Sequence, residues 1–199
     1  MSVVKTKILS APPKNEREIL RYAGSAGASS EDILSLVSDC LAEVQRFAEY
    51  KVCYAELPIS ISDDVCDLGA LSVRSSHLAK NLASSESVIL FAATVGVGID
   101  RLIAKYSSLS PARALILDAI GAERIESLCD AFCKEYEKEH GVKLAPRFSA
   151  GYGDLPLEAQ KEIFSLLAPQ KNIGLFLNSS LSMSPSKSVT AIIGIKNGD

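Results

Sequence analysis

From Pro111 to His140 the chain keeps a helical spacing of apolar positions, and this feature narrows its possible folds more than any other. Ser110 followed by Pro111 reads as a helix start, because a proline at the first helical position gives up an amide that would have had no partner there. Gly141 supplies the stop. One helix over that range would be about 45 Å long at about 1.5 Å per residue, unless Gly121 bends it. The stretch Ala114-Leu115-Ile116-Leu117-Asp118-Ala119-Ile120 is apolar on nearly all sides, which predicts a helix buried at the centre of the fold.

The rest of the chain alternates element types without the regularity of a doubly wound sheet. Ser29-Ser30-Glu31-Asp32 reads as a helix start with early negative charge, and Ile33, Leu34, Val37, Leu41, Val44, Phe47 and Ala48 keep one apolar face after it. Residues 52–59 predict a strand, 71–82 a helix, and the β-branched apolar run 87–94 a central strand. Gly96-Val97-Gly98 lacks the third glycine and the later acidic residue of a nucleotide fingerprint, so it reads as a turn into a helix over 99–106. Pro156 fits an early position of a helix over 157–167, which ends at Ala168-Pro169. Two strands, 172–178 and 188–195, close the chain. Lys187, in the Ser-rich connection between them, either sits in a solvated hairpin loop or faces a partner or an anion. The expected class is α+β: one domain over 1–199, with a mostly antiparallel twisted sheet packed by helices around the long one.

Composition excludes several functions. At 199 residues and 47% hydrophobic the chain can bury one good core. A net charge of −3 with no block of like charge leaves no electrostatic footprint for nucleic acid. The longest apolar runs fall far short of the ~20 residues of a membrane span, and the start Met-Ser-Val-Val-Lys lacks a signal peptide's order, so a cytoplasmic location is expected. The five cysteines (Cys40, Cys53, Cys66, Cys129, Cys133) form no Cys-x-x-Cys pair and are expected reduced. Cys129 and Cys133 are four apart on the long helix and read as core residues; His77 and His140 read as surface or capping residues, so no metal site is expected.

The chemistry concentrates in Arg147-Phe148-Ser149-Ala150-Gly151-Tyr152-Gly153-Asp154-Leu155-Pro156. Arg147 can hold a carboxylate with a two-pronged, charge-assisted hydrogen bond, and the small residues Ala150, Gly151 and Gly153 let backbone approach a ligand closely. Tyr152 adds a ring face, worth roughly 0.5–2 kcal/mol to a cation placed over it. The spacing equally fits a solvated strand end and turn. Asp118, Glu123 and Glu126 lie along the long helix; each is either an outward-facing carboxylate or an acceptor for a ligand's ammonium or ribose.

The order of segments resembles the activation domain of cobalamin-dependent methionine synthase. That family carries an Arg-x-x-x-Gly-Tyr loop, matched by Arg147, Gly151 and Tyr152, and a later Met-x-Pro-x-x-Ser-Val segment, matched by Met183, Pro185, Ser188 and Val189. The likeness is best over 145–195 and extends upstream through Phe91-Ala92-Ala93-Thr94-Val95-Gly96 and the region 123–137; the first 85 or so residues do not align. Two departures stand out. Gly153 replaces the proline usual after the Gly-Tyr pair, and the sequence ends at Asp199 without the family's further helical segment, as expected of a compact free-standing form.

The resemblance implies an α+β fold and an S-adenosylmethionine site formed by Arg147, Ser149, Ala150, Gly151 and Tyr152; of the acidic positions on the long helix, Glu126 is the expected contact to it. It implies no catalytic side chain and no activity alone. The chain would support reductive methylation of cob(II)alamin, with cobalamin held by a partner, because no Asp-x-His-x-x-Gly segment is present here. That partner would be a cobalamin-binding methionine synthase chain or another corrinoid protein, served by a flavodoxin-like or ferredoxin electron donor. An alternative is a module that docks on a corrinoid protein, or senses S-adenosylmethionine, without methyl transfer.

Overall fold

A computed structural model of the chain describes residues 3–24, 30–69 and 71–197. The N-terminal part runs through β1 (Lys5–Ile8), α1 (Glu16–Tyr22), α2 (Glu31–Val44) and β2 (Lys51–Pro58). A small sheet of β3 (Ser60–Ser62), β4 (Val65–Asp67) and β5 (Ser72–Arg74) follows, then α3 (Ser76–Leu82), β6 (Ser87–Thr94), α4 (Gly98–Leu109) and α5 (Pro111–His140). The C-terminal part comprises β7 (Val142–Leu144), α6 (Ala159–Leu167), α7 (Pro169–Asn172), the paired β8 (Phe176–Leu177) and β9 (Met183–Ser184), and β10 (Ser188–Asn197).

The main sheet has the order β1-β2-β6-β10-β7, and every pairing in it is antiparallel. Strand β6 lies in the middle, and its residues alternate between two cores. Ile89, Phe91 and Ala93 face α5, while Val88, Leu90 and Ala92 face the opposite layer with α3 and α6. Burial on both faces explains why the run 87–94 is continuously apolar and not alternating. Helix α5 covers the first face, where Phe132 stacks on Phe91 at 5.2 Å between ring centroids and meets Tyr54 edge-on at 5.0 Å. The expected α+β class and the long helix are both present.

Helix α5 runs unbroken past Gly121. A side chain there would bring its Cβ within 2.9 Å of Lys187 Cγ, so the glycine makes room for the lysine stem. Gly141 ends α5 in the left-handed region, as expected, whereas the Ser110 side chain makes no capping bond.

Several expectations are corrected. Helix α2 starts at Glu31 after Ser30, as expected, with Ser29 outside the described residues, but it ends at Val44, short of Phe47 and Ala48. The stretch 71–82 is not one helix: residues 72–74 form β5 against β4, and α3 starts only after Ser75. The stretch 172–178 is not one strand. Asn172 closes α7, and Ile173 and Leu175 are buried from irregular backbone, which leaves two paired residues at 176–177. Apolar residues there report burial rather than extended structure. The sequence reading left β1, α1, β3, β4 and β7 unassigned.

Candidate functional site

Strand parity at the sheet edge divides the Arg147 loop between the two layers. Phe148 forms a bridge with Ile192 on β10, its N–H donating to the Ile192 carbonyl at 3.0 Å and its carbonyl accepting from the Ile192 N–H at 2.8 Å. The Phe148 side chain enters the α6 layer, so Arg147, one residue earlier, points to the α5 face. There Nη2 donates to Glu126 Oε2 at 2.7 Å and Nη1 to Asp130 Oδ1 at 2.6 Å. The Arg147 side chain is 23% exposed, and its partners are 48% and 59% exposed. Burial opposes the guanidinium charge, but the two carboxylates more than offset it and hold its pKa above the ordinary value.

Glu126, Pro146, Arg147, Ser149, Tyr152 and Val189 line an open cleft of about 460 Å³, within the usual range of roughly 300–1,000 Å³ for small-molecule sites. The Tyr152 side chain is 72% exposed and meets Phe148 edge-on, at 5.9 Å between centroids and 89° between planes, which leaves ring surface open to the cleft. Val189 joins the lining from β10. The chain around it is fixed to the body of the fold: Ser186 donates from its N–H and its Oγ to Asp100 at 2.8 and 2.6 Å, and Ser188 Oγ donates to the Pro185 carbonyl at 2.8 Å and lies 2.9 Å from the Thr94 hydroxyl. Lys187 is neither solvated nor open to an anion; its Nζ donates to Asp118 at 2.7 Å and the side chain is 14% exposed.

The structure brings Glu126, Arg147, Ser149 and Tyr152 together, and places Ala150 and Gly151 behind them. Ala150 is buried in the α6 layer, and Gly151, at φ 84°, backs onto Leu157. The loop amides expected to be free are partly used within the loop, with Gly151 N–H donating to Leu155 O at 2.9 Å and Tyr152 N–H to Ser149 O at 3.1 Å. Helix α6 begins at Ala159, not 157, and the amides of residues 159–161 donate to the carbonyls of 156–158. The amides of its first turn are therefore used locally.

Asp154 fixes the far end of the loop. Its carboxylate accepts from the Ser75 and Ser76 hydroxyls and from the amides of Ser76 (2.8 Å) and His77 (3.2 Å), capping α3 from almost 80 residues away in sequence. Those donors, Ser75 first, hold the Asp154 carboxyl well below the usual carboxylate range. Gly153 sits against His77 at φ 58°, where an added Cβ would fall 2.5 Å from His77 Nδ1. A proline, with φ near −65°, does not fit that conformation, which accounts for the departure at this position.

Of the other acidic candidates, Glu123 is not outward-facing. It is 2% exposed and accepts from Arg124, from Ser127 Oγ at 2.6 Å and from Asn15 N–H at 3.0 Å. Asp130 escaped the sequence reading although it lies four residues after Glu126, the spacing that places two side chains on one helix face. Cys129 and Cys133 lie below Arg147, and burial pushes both thiols up. His140 is stacked on Tyr136 at the end of α5, and His77 lies at the surface beside Asp154. Among the described residues no group of His, Cys, Asp and Glu side chains is arranged to hold a metal ion, and no helix is long and apolar enough to cross a membrane.

No protein-family model matches the chain, and no curated protein matches it. A solved structure does: the MetH reactivation domain bound to AdoHcy is similar with a TM-score of 0.71 over 96% of this chain and 78% of that chain, at 14% identity. The chain thus has the fold of that reactivation domain.

Proposed function

We propose that the Arg147–Tyr152 cleft binds S-adenosylmethionine, and that the chain presents it to a corrinoid protein for reductive methylation of cob(II)alamin. One observation carries this reading. In a fold shared with a domain solved with AdoHcy, the two segments that resemble methionine synthase activation domains converge on one cleft, Arg147 and Tyr152 from one and Val189 from the other. The self-paired charges suit a zwitterion. A ligand carboxylate takes the Arg147 fork while its ammonium takes the carboxylate so released, so each ion pair broken is replaced by another. The Tyr152 ring faces the sulfonium.

The chain's contribution is placement, since no side-chain pair in the cleft serves acid–base or nucleophilic chemistry. The corrinoid supplies the methyl acceptor and arrives on a partner chain, with the electron coming from a flavodoxin-like or ferredoxin donor. The test mixes the chain with a cobalamin-loaded methionine synthase fragment held as cob(II)alamin, a reductant and methyl-labelled S-adenosylmethionine. Label should move to the corrinoid and should do so at least about tenfold more slowly with Arg147→Ala, which loses charged hydrogen bonds worth roughly 1.5–3 kcal/mol each. A second reading, a docking or sensing module, draws on the double neutralisation of Arg147 in the ligand-free site. It takes over if the fragment binds and no label moves.

A further inference from the structure

Beside the cleft at Arg147 lies a second one of about 300 Å³ between α1 and α5, lined by Asn15, Glu18, Tyr22, Glu123, Ser127 and Asp130, and Glu126 lines both. The charges around the two are unequal. Glu18 is paired with Arg21 at 2.7 Å and Glu123 with Arg124, whereas Glu126 and Asp130 share the single guanidinium of Arg147. Four carboxylates thus meet three arginines, and one negative charge is left over, on the Glu126–Asp130 pair.

A bound amino-acid zwitterion does not remove that surplus, because it brings one carboxylate and one ammonium. What answers it is a further positive charge on the ligand. S-adenosylmethionine carries one on its sulfonium, and S-adenosylhomocysteine, the same molecule without the methyl group, carries none. We propose that the surplus carboxylate at Glu126–Asp130 makes the site selective for the charged methyl donor over its demethylated form, with Asp130 as a specificity-determining residue. The inference rests on the ligand assignment made above. Its functional consequence is that methyl loss weakens the ligand's hold and releases the spent molecule from a site where it would otherwise compete with the donor.

Both carboxylates are about half exposed, so the effect is a moderate one. For a separation taken as about 7 Å in largely aqueous surroundings, a unit charge changes affinity by about three- to fivefold, and salt reduces it.

The experiment is calorimetric titration of the whole chain with S-adenosylmethionine, S-adenosylhomocysteine and sinefungin, in which an amine carries the charge in place of the sulfonium. The protein would be wild type, Asp130→Asn and Glu126→Gln, at about 50 mM and about 500 mM salt. The expected result is about a three- to fivefold preference for both cations in wild type at low salt. That preference should shrink at high salt and approach unity in each variant, whatever the variant does to absolute affinity. Equal affinities for the three ligands in wild type, or a preference unchanged in both variants, would overturn the inference and leave the ligand assignment standing. Failure of all three to bind folded wild-type protein overturns the assignment and the inference with it.

Discussion

Two arginines meet carboxylates along the same helix and do different things. Arg124 is sealed: its side chain is 5% exposed, Nε and Nη2 hold Glu123 at 2.5 and 2.7 Å, and the remaining donors reach the carbonyls of Pro12 at 2.6 Å and Pro13 at 2.9 Å. Arg147 is open, and its partners are two side chains more than 45% exposed. Backbone carbonyls fixed by the fold cannot leave Arg124 without unfolding the segment before α1. The acceptors of Arg147 can rotate into water and give their place to a ligand. The difference teaches that an ion pair reads as structure or as a binding site according to whether its partners can be exchanged.

The largest expected effect breaks the sealed pair. Arg124→Ala leaves Glu123 buried without its cation, a change that costs about 3–5 kcal/mol. At about 2–4 °C per kcal/mol for a domain of this size, the melting temperature should fall by roughly 10 °C. Arg147→Ala should shift it by no more than a few degrees, because both carboxylates it leaves behind are about half exposed and can return to water, and such pairs contribute about 0–1 kcal/mol. Thermal melts of the two variants side by side check the comparison, and equal losses would erase it.

Next comes Gly153→Pro, which restores the proline usual in the resembling family. The site's φ of 58° and the contact with His77 make it destabilising by about 1–3 kcal/mol, seen as a lower denaturation midpoint in urea. A neutral result would mean that the loop is free to adopt another path.

Asp154→Asn sharpens the account of how the loop is anchored. The folded-state pKa of Asp154 is depressed, so its contribution is complete above the unfolded value of about 3.9 and is lost as pH falls through the folded value. Wild type should therefore be the more stable protein at pH 7, and the gap to Asp154→Asn should narrow on acidification below about pH 4. Melts between pH 7 and pH 2 read this directly. A last prediction leaves stability untouched and concerns thiol reactivity: with Cys40 pushed up to about 11 and Cys53 to about 12 by burial, folded protein should react with a thiol reagent far more slowly than unfolded protein.

What could be read from sequence followed the range of the forces involved. Helix α5 and strand β6 announce themselves by their own periodicity and burial. The start of α3 has a local cap in Ser75, whose Oγ accepts from Leu78 N–H, but its anchoring to Asp154 across the fold does not show, and neither does the burial of Glu123, whose setting depends on Pro12, Pro13 and Asn15 more than 100 residues away. At the cleft, Arg147 and Tyr152 stood out by residue type and spacing, whereas Glu126 was one of three acidic positions on the helix with nothing in the sequence to choose among them. Asp130 was within reach through its helical spacing from Glu126, but the use of the loop's amides within the loop itself required the folded backbone.

The most direct test of the exchangeable arginine is a titration of S-adenosylmethionine into wild-type, Arg147→Ala and Arg147→Lys protein, followed by heat and by melting temperature. The account expects saturable binding in wild type, a loss of at least about tenfold in Arg147→Ala, and a partial loss in Arg147→Lys, which keeps the charge without the fork. Binding of equal strength in wild type and Arg147→Ala, in proteins of equal stability, would contradict it.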